Sequence, residues 1–238
     1  PHTWNNIDGQ DGGNDYWRGS CTYKTSFAAP AFDPAAQQVW LQFEGVGDSA
    51  KVSLNGTEIA NHDGGFSTFR VDITALLKEQ NELTVIADNS KNDFVYPQKA
   101  DFTFYGGIYR PVHLLVVPKA HFALDYHGAP GLRITPVLSA DLKTAEIHAE
   151  AWVTGTAQSV QFTLGEETLS AAVTDGKAEG TFKLENVHLW DGVNDPYLYK
   201  MQATLDSGDA VEANFGCRTI AFDAEKGFIL NGRPYRLC

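Results

Sequence analysis

The side chains best suited to chemistry gather in two stretches. The first is "NNIDGQDGGNDYWRG", residues 5–19, where Asp8, Asp11, Asn14 and Asp15 sit in a glycine-rich loop. Their carboxylate and amide oxygens suit hydroxyl-rich ligands and hard cations. The stretch lacks the twelve-residue pattern of a calcium loop, so no such loop is expected, and in the absence of a ligand it is a solvated turn cluster. Trp4 precedes the polar loop and Trp17 follows its last acidic residue. Flat rings there either stack on the apolar face of a pyranose or pack in a core. The second stretch is "ADFTFYGGIYRPVHL", residues 100–114. A carboxylate at Asp101, between Ala100 and Phe102, is costly to bury without partners, so it caps a turn, sits in water or meets a ligand. Gly106 and Gly107 give the backbone freedom for a bulge before a strand at 108–117.

Other chemistries are poorly provided for. The histidines show no HxxxH or HxH spacing, and Cys21, Cys217 and Cys238 are far apart with no CxxC. Neither a zinc site nor a disulfide framework is indicated. The GxSxG nucleophile turn and the GxxxxGKS phosphate loop are absent. A formal charge of −12 makes nucleic acid and anionic membrane surfaces poor partners. A neutral sugar is indifferent to that charge.

The elements that must position these residues read as strands. The chain has 238 residues, 43% hydrophobic and 20% charged, which allows one or two globular domains with a proper core. No apolar run approaches the ~18 residues of a membrane span. Alternation of period two puts Val39, Leu41 and Phe43 on one face, then Val52 and Leu54 before an Asn55-Gly56 hairpin turn, then Phe69, Val71 and Ile73. "ELTVIAD" (82–88) and "VHLLVV" (112–117) are denser and read as strands covered on both faces. "DITALLKEQN" alone reads as helical, one or two turns, capped by Thr74 and ended by Asn81. After Pro118 a second series begins with Ile147, Ala149, Ala151 and Val153, followed by Val160, Phe162 and Leu164. "TFKL", "YKMQATL" and "VEANFG" complete it. The spacing predicts an all-β protein of two sandwiches, residues 1–118 and 119–219, with a tail 220–238. In that tail "GFILNGRPYRLC" makes a hairpin at Asn231-Gly232 that leads nowhere, and such a hairpin is marginal by itself.

Three motifs, "ADFTFYGGIYRPVHL", "LWDGVNDPYLYKM" (189–201) and "FGCRTIAFDAEKGFILNGRPYRL" (215–237), resemble in order and spacing the N-terminal half of glycoside hydrolase family 2. "DGGNDYWRGSCTY" and "HDGGFSTFRVDIT" are most similar to bacterial β-galactosidases. The resemblance implies a jelly-roll, galactose-binding-like sandwich, then an immunoglobulin-like sandwich, then a strand entering a (β/α)₈ catalytic barrel. Such a barrel needs about 250 residues of its own, so it is expected beyond this chain. The unfinished hairpin is then the barrel's entrance, left without its sheet, and Trp190, Pro196 and Tyr199 shape the second sandwich.

By the same resemblance Asp101 reaches the sugar and a bound monovalent cation, which makes it both a substrate-binding and a metal-ligating candidate. Asn14, with Asp15 as its rival, is directed to the galactose pocket. The parent enzyme would use Na⁺ or K⁺ and Mg²⁺, with no cofactor required by the fragment. Retention needs two carboxyl groups about 5–5.5 Å apart, one of them held protonated. In the family these are barrel glutamates, the acid/base following an Asn. The Asn-Glu pair here, Asn81-Glu82, reads as a turn residue followed by an exposed edge, so no catalytic residue is assigned and the fragment is expected to be inactive. The expected partners are a β-galactoside and the parent's own barrel, in a homo-oligomer, with no nucleic acid and no membrane. Sparse cysteine and the lack of a leader favour a cytoplasmic location. A start at Pro1 without Met reads as trimmed, so a removed signal peptide stays open. The alternatives are a free-standing carbohydrate-binding module, a scaffold without ligand contact, and a parent specific for β-glucuronides.

Overall fold

The structure, a computed structural model, describes residues 18–95 and 106–236. Among the described residues it is all-β apart from a single 3₁₀ turn at Thr74–Leu76. The chain divides into two compact units. The first holds the residues up to Pro118 plus His127–Ala129, the second Lys119–Tyr126 and the residues from Pro130.

The first unit contains β1 (Ser20–Ala28), β2 (Gln37–Phe43), β3 (Val46–Gly47), β4 (Ser49–Leu54), β5 (Thr57–Asp63), β6 (Phe69–Asp72), β7 (Gln80–Asp88), β8 (Gly107–Ile108) and β9 (Val112–Pro118). One sheet runs β1-β7-β4-β5, a second β6-β2-β9, and β3 pairs with β8. The period-two reading holds where it matters. Val39, Leu41 and Phe43 of β2 face Val52, Leu54, Leu83, Val85 and Ala87 in one buried cluster. Asn55 (φ +52°) and Gly56 (φ +82°) supply the left-handed pair that a tight hairpin needs.

Three expectations are corrected here. The segment after Ile73 is no regular helix. The Thr74 hydroxyl accepts the Val39 amide of β2 at 2.8 Å and donates to Asp72 at 2.5 Å, so it ties two strands together rather than capping a helix. Asn81 lies in the strand Gln80–Asp88, and that strand is interior to its sheet, with β1 on one side and β4 on the other. The dense run of β9 is an edge strand, because it pairs with β2 alone and leaves Val112, His113 and Leu114 exposed.

The second unit contains β10 (His121–Phe122), β11 (Leu132–Leu138), β12 (Thr144–Thr154), β13 (Ser159–Leu164), β14 (Glu167–Ala172), β15 (Lys177–Glu185), β16 (Tyr199–Leu205) and β17 (Ala210–Phe215). β12 pairs with β10, β11 and β15, while the facing sheet runs β14-β13-β16-β17. Ile147, Ala149 and Ala151 meet Val160, Phe162, Met201 and Ala203 between the sheets. Gly180 packs closely there, where a Cβ would stand 2.7 Å from a Leu169 methyl and 3.3 Å from the Phe162 ring.

The tail is not left without a sheet. Ile220–Asp223 (β18) joins Gly227–Leu230 (β19) and Arg233–Pro234 (β20) in a three-stranded sheet. Asn231 then fixes this sheet to the second unit. Its Nδ2 donates to the Trp190 carbonyl at 3.0 Å and its Oδ1 accepts the Thr219 amide at 3.0 Å. Leu230 is fully buried, whereas Ile220 is 51% and Phe222 81% exposed.

Candidate functional site

Asn14, Asp15 and Asp101, with Asp8, Asp11, Trp4 and Trp17, lie outside the described residues. The structure describes the later residues of the two stretches that contain them. The first stretch ends at Gly19, just before β1, and the second is described from Gly106, just before β8. Gly19 and Gly106 both meet one residue, Asn89, just past the end of β7.

The frame follows from local sequence. Asp88 and Ser20 are register partners in the β1–β7 ladder. The Ser20 hydroxyl donates to the Asp88 carboxylate, and the Ser90 amide donates to its other oxygen at 2.7 Å. Burial pushes this carboxyl up, but the Ser20 and Ser90 bonds outweigh it and hold Asp88 below its ordinary value. One residue on, Asn89 is 1% exposed. Its Oδ1 accepts the Gly19 amide at 2.9 Å, and its own amide donates to the Gly19 carbonyl at 3.4 Å. Gly106 touches its other side, since a Cβ there would stand 2.7 Å from Asn89 Cβ and 3.0 Å from the Gly47 carbonyl. Gly107, at φ +91°, pairs with Gly47 of β3. The pair of glycines therefore serves close approach at 106 and a left-handed backbone at 107.

Around this point the same end of the first unit is polar. Asp48 is fully buried, its amide donating to the Asp88 carbonyl and its carbonyl accepting the Gly64 amide, both at 2.9 Å. The Asn92 amide group reaches Ser49 Oγ at 3.0 Å and Asp63 at 3.3 Å. The Tyr109 hydroxyl donates to the Gly65 carbonyl. Burial pushes its phenol up, Arg110 opposes this, and Asp48 adds to the rise. His62 stacks on Phe69 at 4.3 Å and lies 2.9 Å from the Ser67 hydroxyl. Burial pulls the imidazole below its ordinary value of 6.5, against the Gly64 carbonyl and Asp63, so the ring is neutral at pH 7. The arrangement can orient hydroxyl-bearing ligands. Among the described residues it shows no activated nucleophile.

Asn81-Glu82 is structural. Asn81 is buried, accepting the Lys78 amide at 2.9 Å and donating to the Lys78 carbonyl at 2.8 Å, while Glu82 faces solvent. In the second unit a cleft of about 600 Å³ lies between the "LWDGVNDP" segment and the tail. His188 meets Asp195 there at 2.7 Å and stacks on Tyr197 at 3.9 Å, and Arg233 pairs with Asp191. Trp190 is structural as expected, its ring under the Arg218 guanidinium at 4.7 Å and its first side-chain atoms against Gly216. Among the described residues no three His, Cys, Asp or Glu side chains form a metal cluster. Sequence reasoning missed Asn89, Asp48 and His62. Only the Asn89 neighbours Asp88 and Ser90 signal a strand end there.

Two family models match the chain. The galactose-binding-like domain of glycosyl hydrolase 2 covers residues 12–125, and the glycosyl hydrolases family 2 model covers 130–218. The chain belongs to glycosyl hydrolase family 2. Among its family 2 relatives, a β-glucuronidase of Bacteroides fragilis is 32% identical over 98% of this chain and 36% of its own length. A β-galactosidase of Thermoanaerobacter pseudethanolicus is 28% identical over 84% of this chain and 28% of its own. The crystal structure of an FMN-binding β-glucuronidase from Faecalibacterium prausnitzii superposes with a TM-score of 0.85 at 36% identity, over 98% of this chain and 38% of that one. The chain thus spans between 28% and 38% of the length of these relatives.

Proposed function

We propose that this chain is the non-catalytic front part of a retaining family 2 β-glycosidase, and that its first unit walls one side of the sugar pocket. The observation that carries this is the meeting of two chain ends at Asn89. Gly19, which follows Asn14 and Asp15 in sequence, and Gly106, which follows Asp101, both contact Asn89, which supports reading those three residues as contributors to one site. Oxygens delivered there hydrogen-bond sugar hydroxyls, and they accelerate the reaction only where those bonds strengthen in the transition state. The nucleophile and the acid/base would lie on a barrel encoded beyond Cys238. Turnover would need that barrel, because Asn81 and Glu82 are spent on the sandwich. Asp101 would also hold the monovalent cation, with the remaining ligands from the barrel. A homo-oligomeric parent and a cytoplasmic location belong to the same proposal.

The motifs favour a β-galactoside as substrate. A second reading, a β-glucuronide, is favoured by the breadth of the matches. The curated relatives named β-glucuronidase cover 92–100% of this chain, against 83–84% for those named β-galactosidase, although a solved structure named a putative β-galactosidase of Bacteroides fragilis covers 99%. The test is to complete the reading frame past Cys238, then assay chromogenic β-galactoside and β-glucuronide with and without Asp101→Ala. Activity on either, with kcat/KM reduced by Asp101→Ala, is the expected result. A stop codon after Cys238, or an Asp101→Ala enzyme with unchanged kcat/KM, overturns the proposal. Loss of activity on replacing Na⁺ and K⁺ by a bulky organic cation checks the cation role.

A further inference from the structure

We infer that the first unit carries a small-molecule site, an apolar slot between the edge strands β1 and β9 that takes a molecule with an apolar tail and a single carboxylate. Every residue of the slot lies in that unit, and the inference does not rest on the proposed function. The slot follows from where the two sheets stop. β1 is the last strand of the sheet β1-β7-β4-β5, and β9 the last strand of β6-β2-β9. In β9, Val112 and Leu114 pair with Phe43 and Leu41 of β2. Directly paired residues share a face of the sheet, so Val112 and Leu114 take inward positions. Phe43 and Leu41 are 0% and 2% exposed, whereas Val112 and Leu114 are each 37% exposed. In β1, Tyr23 and Thr25 pair with the inward Val85 and Leu83, and Thr25 is exposed as well. The inward faces of the two edge strands therefore do not cover each other. Between them lies a cavity of about 360 Å³, lined by core residues Leu41, Phe43, Leu83 and Val85 and by both edge strands. Small-molecule sites span ~300–1,000 Å³ and are likewise mostly apolar, with a few polar groups that fix the ligand.

The polar groups decide the ligand. Two are already engaged. The Tyr23 hydroxyl accepts the Ile108 amide at 3.4 Å, and His113 meets Glu44 at 2.9 Å. Lys24 and Thr25 also line the cavity. Among the described residues Lys24 has no ion partner and the Thr25 hydroxyl no hydrogen bond. One unpaired ammonium and one unused hydroxyl at the rim of an apolar cavity complement a single carboxylate on an apolar tail. A neutral apolar molecule would leave the charge unused, and a dianion would lack a second cation.

The test is titration of the 238-residue chain with octanoate, followed by backbone-amide and methyl NMR, with acetate and 1-octanol in parallel. Octanoate should give saturable shifts centred on Tyr23, Thr25, Val112 and Leu114, and acetate should give none. Lys24→Gln should weaken octanoate about two- to fivefold, the scale of an exposed ion pair, and leave octanol unchanged. Octanoate shifts that centre elsewhere, or that do not saturate, overturn the site. An octanoate affinity that Lys24→Gln leaves unchanged, or an octanol affinity that it lowers equally, overturns the carboxylate assignment. Slot residues that shift with protein concentration but not with octanoate would show a second copy seated there, and the inference fails.

Discussion

Asn231 is where a marginal hairpin becomes part of a domain, and Asn231→Ala tests that. The substitution removes two hydrogen bonds, from the Thr219 amide and to the Trp190 carbonyl, each 3.0 Å long. Each contributes about 1 kcal/mol net in a partly buried setting. The residue also holds φ +50°, where a side chain without a local polar bond costs roughly 1 kcal/mol more. Asn231→Ala should therefore ease opening of the tail by about 3 kcal/mol, and Asn231→Gly, which relieves the backbone, by about 2. The readout is native-state hydrogen exchange at the backbone amides of position 231 and Tyr235, which donate to the Thr219 and Phe228 carbonyls at 3.0 and 2.9 Å. At tenfold per ~1.4 kcal/mol, exchange should quicken about 100-fold and about 30-fold, with the amides of the second core unchanged. Unchanged tail protection in both variants would show that the strand ladder alone holds the tail. Identical effects of Ala and Gly would show that the backbone conformation adds nothing.

Phe162→Ala, in a fully buried position between the sheets of the second unit, should destabilise that unit by about 3–5 kcal/mol in urea unfolding. His62 is held neutral in the folded state, so folding favours the unprotonated ring. Its contribution is present above its ordinary value of 6.5 and is lost as pH falls below it, toward the lower folded value. The fall in melting temperature between about pH 7.5 and 5 should accordingly be shallower in His62→Gln, and an unchanged profile would refute the assignment. Gly106→Ala should destabilise the first unit by about 1–3 kcal/mol, because its Cβ meets a buried side chain and a backbone carbonyl, and melting of that unit measures it. Glu82→Gln, on the solvent face of β7, should stay within about 0.5 kcal/mol of the parent in the same measurement.

How much of this was legible in the sequence depends on whether the partner of each residue is local. Val39, Leu41 and Phe43, or Ile147, Ala149 and Ala151, announce their inward face by alternation, and the structure buries them. Asn55-Gly56 and Asn231-Gly232 announce their turns because the required backbone is intrinsic to those residue types. The error at β9 has a clear cause. An apolar run states how much surface wants cover, not whether a neighbouring strand supplies it, and β9 has only β2. Thr74 misled for the opposite reason. Its hydroxyl suits a cap, but Val39, 35 residues away, uses it. The candidate site was legible only through its motifs. Asn14, Asp15 and Asp101 came from resemblance, whereas Asn89 was invisible because its bond spans 70 residues.

The apolar face of the tail bears on how this chain behaves in solution. Phe222 lies across from Phe228, with ring centroids 5.5 Å apart, and beside the exposed Ile220. A net charge of −12 keeps such molecules apart at low ionic strength by mutual repulsion. Salt near 0.1 M shortens the reach of that repulsion to about 10 Å but leaves the attraction between apolar faces intact. The colloidal stability of this chain is thus an electrostatic property laid over a sticky edge. Its second virial coefficient should fall, and turn negative, as salt is added, and Phe222→Ser should hold it positive.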